Sequence, residues 1–246
     1  MKIVTSKEIK IRFCLIAVLC SVFVTIFAGN YFFEKFAAVN VDADNSMNKT
    51  VIIDAGHGSP DGGTSSADGT LEKDINISIA LKLKQILESM GVNCILTRTD
   101  DNGIYDSTAD TIRQKKISDI KNRLRIINET ENSIFVSIHQ NHYSSSAYKG
   151  LQVFYSKNHP ESALLADSIR LPVISYLQTD NSREIKASGS EIYLLHHSQR
   201  PSVMVECGFM SNAEETRLLK NENYQLKLAF VIAIGIRDYL INSEEI

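Results

Sequence analysis

The sequence predicts an α/β domain, a twisted and mostly parallel or mixed sheet with helices on both faces, preceded by an N-terminal hydrophobic segment. Three observations carry that expectation. From Val51 onward, short β-branched runs alternate with apolar repeats of helical spacing, the pattern of strands covered on both faces. Ionisable residues stand at or just beyond the ends of several of these runs, and the lip formed by strand C-ends is where open α/β sheets bind ligands. Ahead of Val51 the chain changes character, with a charge-free apolar stretch followed by a polar one.

Taken in order, residues 1–33 read as a signal peptide or a membrane anchor. Residues 13–33 carry no charge and follow Lys2, Lys7, Lys10 and Arg12, so the positive end stays inside and the remainder is exported. The run is about long enough to span a bilayer, whereas Ala28 offers a small residue for cleavage with Ile26 as a poor partner two positions earlier. Leu19 before Cys20 and Phe13 before Cys14 are too large for a lipoprotein cleavage site. Residues 34–49, with Asp42, Asp44, Asn45, Ser46 and Asn48, read as a linker, and residues 50–246 as one catalytic domain.

Within that domain Leu71, Ile75, Ile79, Leu83, Ile86, Leu87 and Met90 recur at helical spacing and Gly91 follows as a stop, so a helix is expected over 72–90. Strand patterns are expected at 92–97, 134–138, 151–155, 192–195 and 203–205, and helices at 112–129, 161–177, 213–220 and 224–239. No internal repeat is visible.

Composition excludes one class of function outright. With 26 Lys and Arg against 29 Asp and Glu, the net charge of −3 gives no basic field for nucleic acid. Cys94 lies in a strand pattern and Cys207 follows Glu206, so both are expected as buried, small apolar residues rather than thiolate ligands or a disulfide.

Four segments carry the chemistry. The first, VIIDAGHGSPDGG from Val51 to Gly63, runs an apolar strand into a glycine-rich turn, where Gly56 and Gly58 would let backbone approach a metal at His57. The second, LEKDIN, puts Glu72 in a helix's first turn, a place that also suits an acidic residue as a simple partner of the helix dipole, as Asp74 is read. IFVSIHQNH ends an apolar run on His139, with His142 close behind as a surface or substrate-facing residue and the nearest spare ligand. PSVMVECGFMSN places Glu206 after Val203, Met204 and Val205, where a carboxylate is costly to bury unless paired or near a metal.

In this order the four segments resemble the zinc-dependent N-acetylmuramoyl-L-alanine amidases of the kind often called amidase 3, over roughly residues 50–239. The resemblance implies one Zn2+ per chain held by His57, Glu72 and His139, with Glu206 as the catalytic residue that carries the water's proton to the leaving amine. It implies hydrolysis of the amide between N-acetylmuramic acid and L-alanine in peptidoglycan. A small single-domain member with an N-terminal hydrophobic segment is similar to the family's spore-cortex members, which strip stem peptides before muramic δ-lactam forms. Asp54 is expected to hydrogen-bond a ligand histidine or brace the turn, and Arg123 to hold an acidic group or a helix end.

The chain departs from the family pattern at two places. Gly58 is followed by Ser59 and Pro60 where the family commonly has glycine, and His196 stands where many relatives have arginine. His159 and His197 are expected at the surface. Only ten residues, 140–149, separate His139 from the next strand pattern, too few for the plugging helix that some relatives carry. With no wall-binding repeat, targeting falls to the anchor or to an activator or targeting protein. The rival readings are a zinc peptidase acting within the stem peptide and a non-enzymatic wall-binding domain.

Overall fold

The computed structural model describes residues 49–243. Residues 1–33 and nearly all of 34–49, read above as anchor or signal and linker, lie outside the described residues. Among the described residues no helix is long and apolar enough to cross a membrane.

Six strands, β1 (Thr50–Ala55), β2 (Cys94–Leu96), β3 (Ser133–Asn141), β4 (Gln152–Tyr155), β5 (Lys186–Ala187) and β6 (Ser202–Phe209), form one sheet in the order β2-β1-β3-β6-β4-β5. Strands β2, β1, β3 and β6 are parallel, β4 is antiparallel to β6, and β5 is parallel to β4, so the sheet is mixed as expected. The helices are α1 (Glu72–Ser89), α2 (Ile112–Glu129), α3 (Glu161–Tyr176), α4 (Tyr193–His197), α5 (Ala213–Leu219) and α6 (Glu222–Asn242).

Successive side chains of a strand point to opposite faces, and the two faces are covered unequally. Val51, Ile53 and Ala55 of β1, with Ile134, Val136 and Ile138 of β3 and Val203 and Val205 of β6, join a large core with α1, α3 and α6. Ile75, Ile79, Leu83 and Leu87 supply the α1 stripe of that core, each worth about 1.5–3 kcal/mol on burial. Gly91, at φ 83°, ends the helix in the left-handed conformation that glycine adopts without strain. The opposite face is thinner: Ile52 and Phe135 join Ile127 of α2 and Leu194 and Leu195 of α4 in a small cluster, flanked by partly buried residues such as Ile120, Leu124 and Met204. Period-two alternation puts Asp54, Ser137, His139 and Glu206 on this thin side, in step with Ile52, Phe135 and Met204. A thinly covered face leaves room for a cleft.

One expected element is of the wrong type. Residues 192–195, expected as a strand, form the start of α4, with His196 N donating to Ile192 O and Ser198 N to Leu194 O. Consecutive Leu194 and Leu195 are both buried, so the run has no period-two alternation to hold it in a sheet, and a short apolar run does not distinguish helix from strand. The edge position belongs instead to the two-residue strand β5. The remaining elements fall where expected, with β2 shorter than 92–97 and β3 longer than 134–138, so that His139 lies inside a strand. The connection between β3 and β4, residues 142–151, contains no helix.

Candidate metal centre

The site assembles at the C-terminal ends of β1, β3 and β6. Register pairs the Cα atoms of His139 and Glu206 directly across β3 and β6, and those of Asp54 and Ser137 across β1 and β3. Beyond β1 the chain turns sharply. His57 takes a positive φ of 63°, and Gly56 passes so close to His139 that a β-carbon there would collide with the imidazole ring. A β-carbon on Gly63 would likewise strike Glu72 and His57. These two glycines admit the loop to the side chains it must approach.

Glu72, 3% exposed, is the hub. Its Oε2 lies 3.2 Å from His57 Nε2 and its Oε1 lies 2.9 Å from His139 Nδ1. Thr64 N donates to Oε2 at 2.9 Å, while Gln140 N and Asn76 Nδ2 donate to Oε1 at 3.1 and 3.3 Å, so the carboxylate is held from several directions. The ligand atoms of His57, Glu72 and His139 lie within 4.8 Å of one another, and the two imidazole rings sit 4.9 Å apart at 70°. All three expected ligands therefore converge. His142 is exposed and belongs to no such group, and His196 and His197 are exposed on α4.

Electrostatics around the hub is that of buried, mutually paired groups. Burial opposes charge on His57, yet its hydrogen bonds to Asp61 and Glu72 raise it to about 9. Burial likewise opposes charge on Glu72, and the two histidines overcome it and hold the carboxyl well below the usual range. Glu206 behaves in the opposite way. Its Oε2 is closed to solvent without a hydrogen-bond partner among the described residues, and burial pushes it up to about 7. An acid left unpartnered beside two imidazoles and a carboxylate is the arrangement a divalent cation completes, since zinc takes imidazole nitrogen and carboxylate oxygen and leaves a position open for water. The donor set fits zinc.

The groups behind the ligands are only partly those expected. Asp54 contacts neither ligand histidine. It accepts from Arg123 Nη1, from Thr97 Oγ1 at 2.7 Å and from Ser137 Oγ, and although burial opposes its charge, Arg123 and these donors lower it to about 2. Of the two roles open to it, Asp54 takes the bracing one. Arg123 also donates to Ala55 O at 2.9 Å and His57 O at 2.6 Å and pairs with Asp119, so it clamps the turn's backbone. Arg98, unmarked in the sequence, does the same from the other side, reaching Ala55 O, Gly56 O and Lys73 O. The carboxylate on His57 Nδ1 is Asp61, at 3.0 Å, itself held by Lys116 at 2.7 Å. That pairing leaves Nε2 of His57 facing the hub. Cys207 is buried and Cys94 partly so; both are free thiols, pushed up by burial, Cys94 to about 12.

Residues 51–238 match the family described as N-acetylmuramoyl-L-alanine amidase. The chain belongs to that family. It is 31% identical over 191 residues to the germination-specific N-acetylmuramoyl-L-alanine amidase of Bacillus subtilis, covering 78% of this chain and 79% of that one. The structure of the CwlD amidase from Clostridioides difficile, solved in complex with the GerS lipoprotein, superposes with a TM-score of 0.75 at 45% identity, covering 78% of this chain and 98% of that one. An N-acetylmuramoyl-L-alanine amidase from Clostridium difficile 630 superposes at 0.67 with 30% identity, covering 78% and 96%. This amidase is thus an enzyme of the cell wall, which sets aside a non-enzymatic wall-binding domain.

Proposed function

We propose that this amidase holds one zinc ion through His57, Glu72 and His139, and that Glu206 moves the proton in hydrolysing the amide between the lactyl group of N-acetylmuramic acid and L-alanine. The observation that carries the reading is the unpartnered, solvent-closed Oε2 of Glu206 on the strand position paired with His139. The chemistry bound zinc contributes is Lewis acidity, which polarises a carbonyl and acidifies a water toward a pKa of about 7. Glu206 Oε2 takes a proton from the attacking water as the water's oxygen bonds to the carbonyl carbon. It returns that proton to the amide nitrogen, the C–N bond breaks, and L-alanine leaves with a free amine. Burial raises this carboxyl in the metal-free chain, and a cation bound beside it would favour the carboxylate that accepts the water's proton. Asp61 and Lys116 hold the His57 ring, and Arg123 with Arg98 fixes the turn that carries it.

Mass analysis of digested peptidoglycan tests the cleavage position. Glycan freed of L-alanine, together with peptides that begin at L-alanine, is the expected product; peptides that begin later in the stem would make this a peptidase. His57→Ala, Glu72→Ala and His139→Ala each leave two ligands and should lose zinc along with activity. A Glu72→Ala enzyme with full zinc would move the third ligand elsewhere, with His142 the first replacement to test.

The same reading places the enzyme outside the cytoplasm, in spore cortex maturation before muramic δ-lactam formation. Support comes from the germination-specific relative. Residues 13–33 would anchor or export the domain, and a lipoprotein partner like that of the CwlD relative would assist it. A domain start near residue 50 is supported by the division of the chain after Ser46 and by the family match from residue 51. Loss of the enzyme should leave spore cortex without muramic δ-lactam, and an unchanged δ-lactam content would remove the spore role.

A further inference from the structure

The segment joining β3 to β4 carries two exposed aromatic residues beside the site. Tyr143 follows His139 by four residues, so their Cα atoms lie at most about 14 Å apart. Tyr148 precedes by four residues Gln152, whose Cα pairs with that of Glu206. The two tyrosines are 52% and 43% exposed, and their rings meet edge to face at 4.7 Å and 71°. Tyr148 also stacks on Phe209 at 6.0 Å, with the Arg183 guanidinium over both rings. The segment is stapled in place. Tyr143 N donates to Ser211 Oγ at 3.2 Å, and Asn212 Nδ2 donates to Ser146 O at 2.9 Å and to Tyr148 O at 3.4 Å. Neither tyrosine hydroxyl has a hydrogen-bond partner among the described residues.

We propose that Tyr143 and Tyr148 form a stacking platform for a neighbouring N-acetylated sugar of the glycan strand, a subsite that rests on the amidase reading above. A pyranose ring offers a face of C–H groups and a rim of hydroxyls, and so needs an aromatic face with polar groups at its edge; tyrosine combines the two. Tyr148 opens onto a cavity of about 500 Å3 whose wall also includes the exposed Ser182 and Glu214, a hydroxyl and a carboxylate suited to sugar hydroxyls. The cations nearby are already engaged, Lys149 with Asp180 and Arg183 with the aromatic rings and Lys149 O, which disfavours an acidic stem peptide as the occupant. Because the platform is braced before it binds, little ordering entropy opposes binding. At no more than about 14 Å from His139, the Tyr143 end of the platform is within reach of a sugar next to the muramoyl residue that is cut. That sugar occupies it.

Isothermal titration calorimetry of the full chain, for wild type and variants alike, reads the binding of N-acetylglucosamine tetramer without relying on the substituted rings. The expected result is that Tyr143→Ala with Tyr148→Ala weakens this binding about tenfold, the worth of one aromatic stacking contact, while Tyr143→Phe with Tyr148→Phe, which keeps the ring faces and loses the hydroxyls, recovers most of it. With glycan strands as substrate, the alanine pair should raise KM relative to a single muramoyl-peptide unit and spare kcat and zinc content. Tetramer binding indifferent to the alanine pair would overturn the platform. So would a KM rise as large for the single muramoyl-peptide as for strands, which would assign the rings to the stem peptide. Tetramer binding that depends on the tyrosines in a chain that cleaves neither substrate would keep the platform and overturn the amidase chemistry instead.

Discussion

Glu206 is the residue at which function and stability pull in opposite directions. Its folded carboxyl is raised by burial from 4.5 to about 7. The folded state therefore binds the proton more tightly than the unfolded state, and stability falls as pH rises from 4.5 through about 7. In the metal-free enzyme Glu206→Gln should remove a penalty of about 1–3 kcal/mol at pH 8 and almost none at pH 4. Denaturant midpoints of the metal-free wild type and variant at both pH values measure it. A variant no more stable at pH 8 would mean that Glu206 is not the strained acid its burial implies. Asp54 shows the reverse sign. Held at about 2 against 3.8, it stabilises the fold above 3.8, and that contribution is lost as pH falls through about 2. Asp54→Asn leaves Arg123 with a missing buried partner and should cost about 3–5 kcal/mol, read as a lowered denaturation midpoint at neutral pH. His57 and His139 are legible in the sequence because each follows or ends a recognisable apolar run, whereas Glu72, in a helix's first turn where a dipole partner is equally at home, is marked only by the resemblance. Asp61 is not legible, because an aspartate in a glycine-rich turn looks like an ordinary turn former, and only the folded turn brings it back on His57 four residues earlier.

At the scale of elements, the site depends on how closely the β1–α1 turn can pass over β3. Gly56→Ala puts a methyl group into the His139 ring while leaving the strand's packing on α1 intact. The variant should keep its circular dichroism spectrum and lose most of its zinc. Retained zinc would show that the turn can shift without disturbing the ligand. The sheet itself was readable because fully buried strands are near-continuous β-branched runs, as at Val51–Ile53 and Ile134–Val136. The α4 segment was not readable, since Ile192, Tyr193, Leu194 and Leu195 fit either state and their type is settled by packing on α2 and Phe135. Strand β5 escaped notice for a simpler reason. Two exposed residues, Lys186 and Ala187, carry no pattern at all.

On the scale of the whole molecule, the thick core on one face of the sheet holds the strands rigid, and the thin face admits substrate to the ends of β1, β3 and β6. A chain shortened to begin near Asn40 contains all of this core and should be soluble and folded, with a cooperative thermal transition; an unfolded product would place the start of the domain earlier. The central claim is that three residues hold the metal and a fourth moves the proton, and Glu206→Gln separates these roles in one preparation. The account predicts zinc near one per chain, as in the wild type, with turnover on peptidoglycan lower by about 10²–10⁴. Zinc lost together with turnover would make Glu206 a ligand, and full zinc with near-normal turnover would remove it from the reaction.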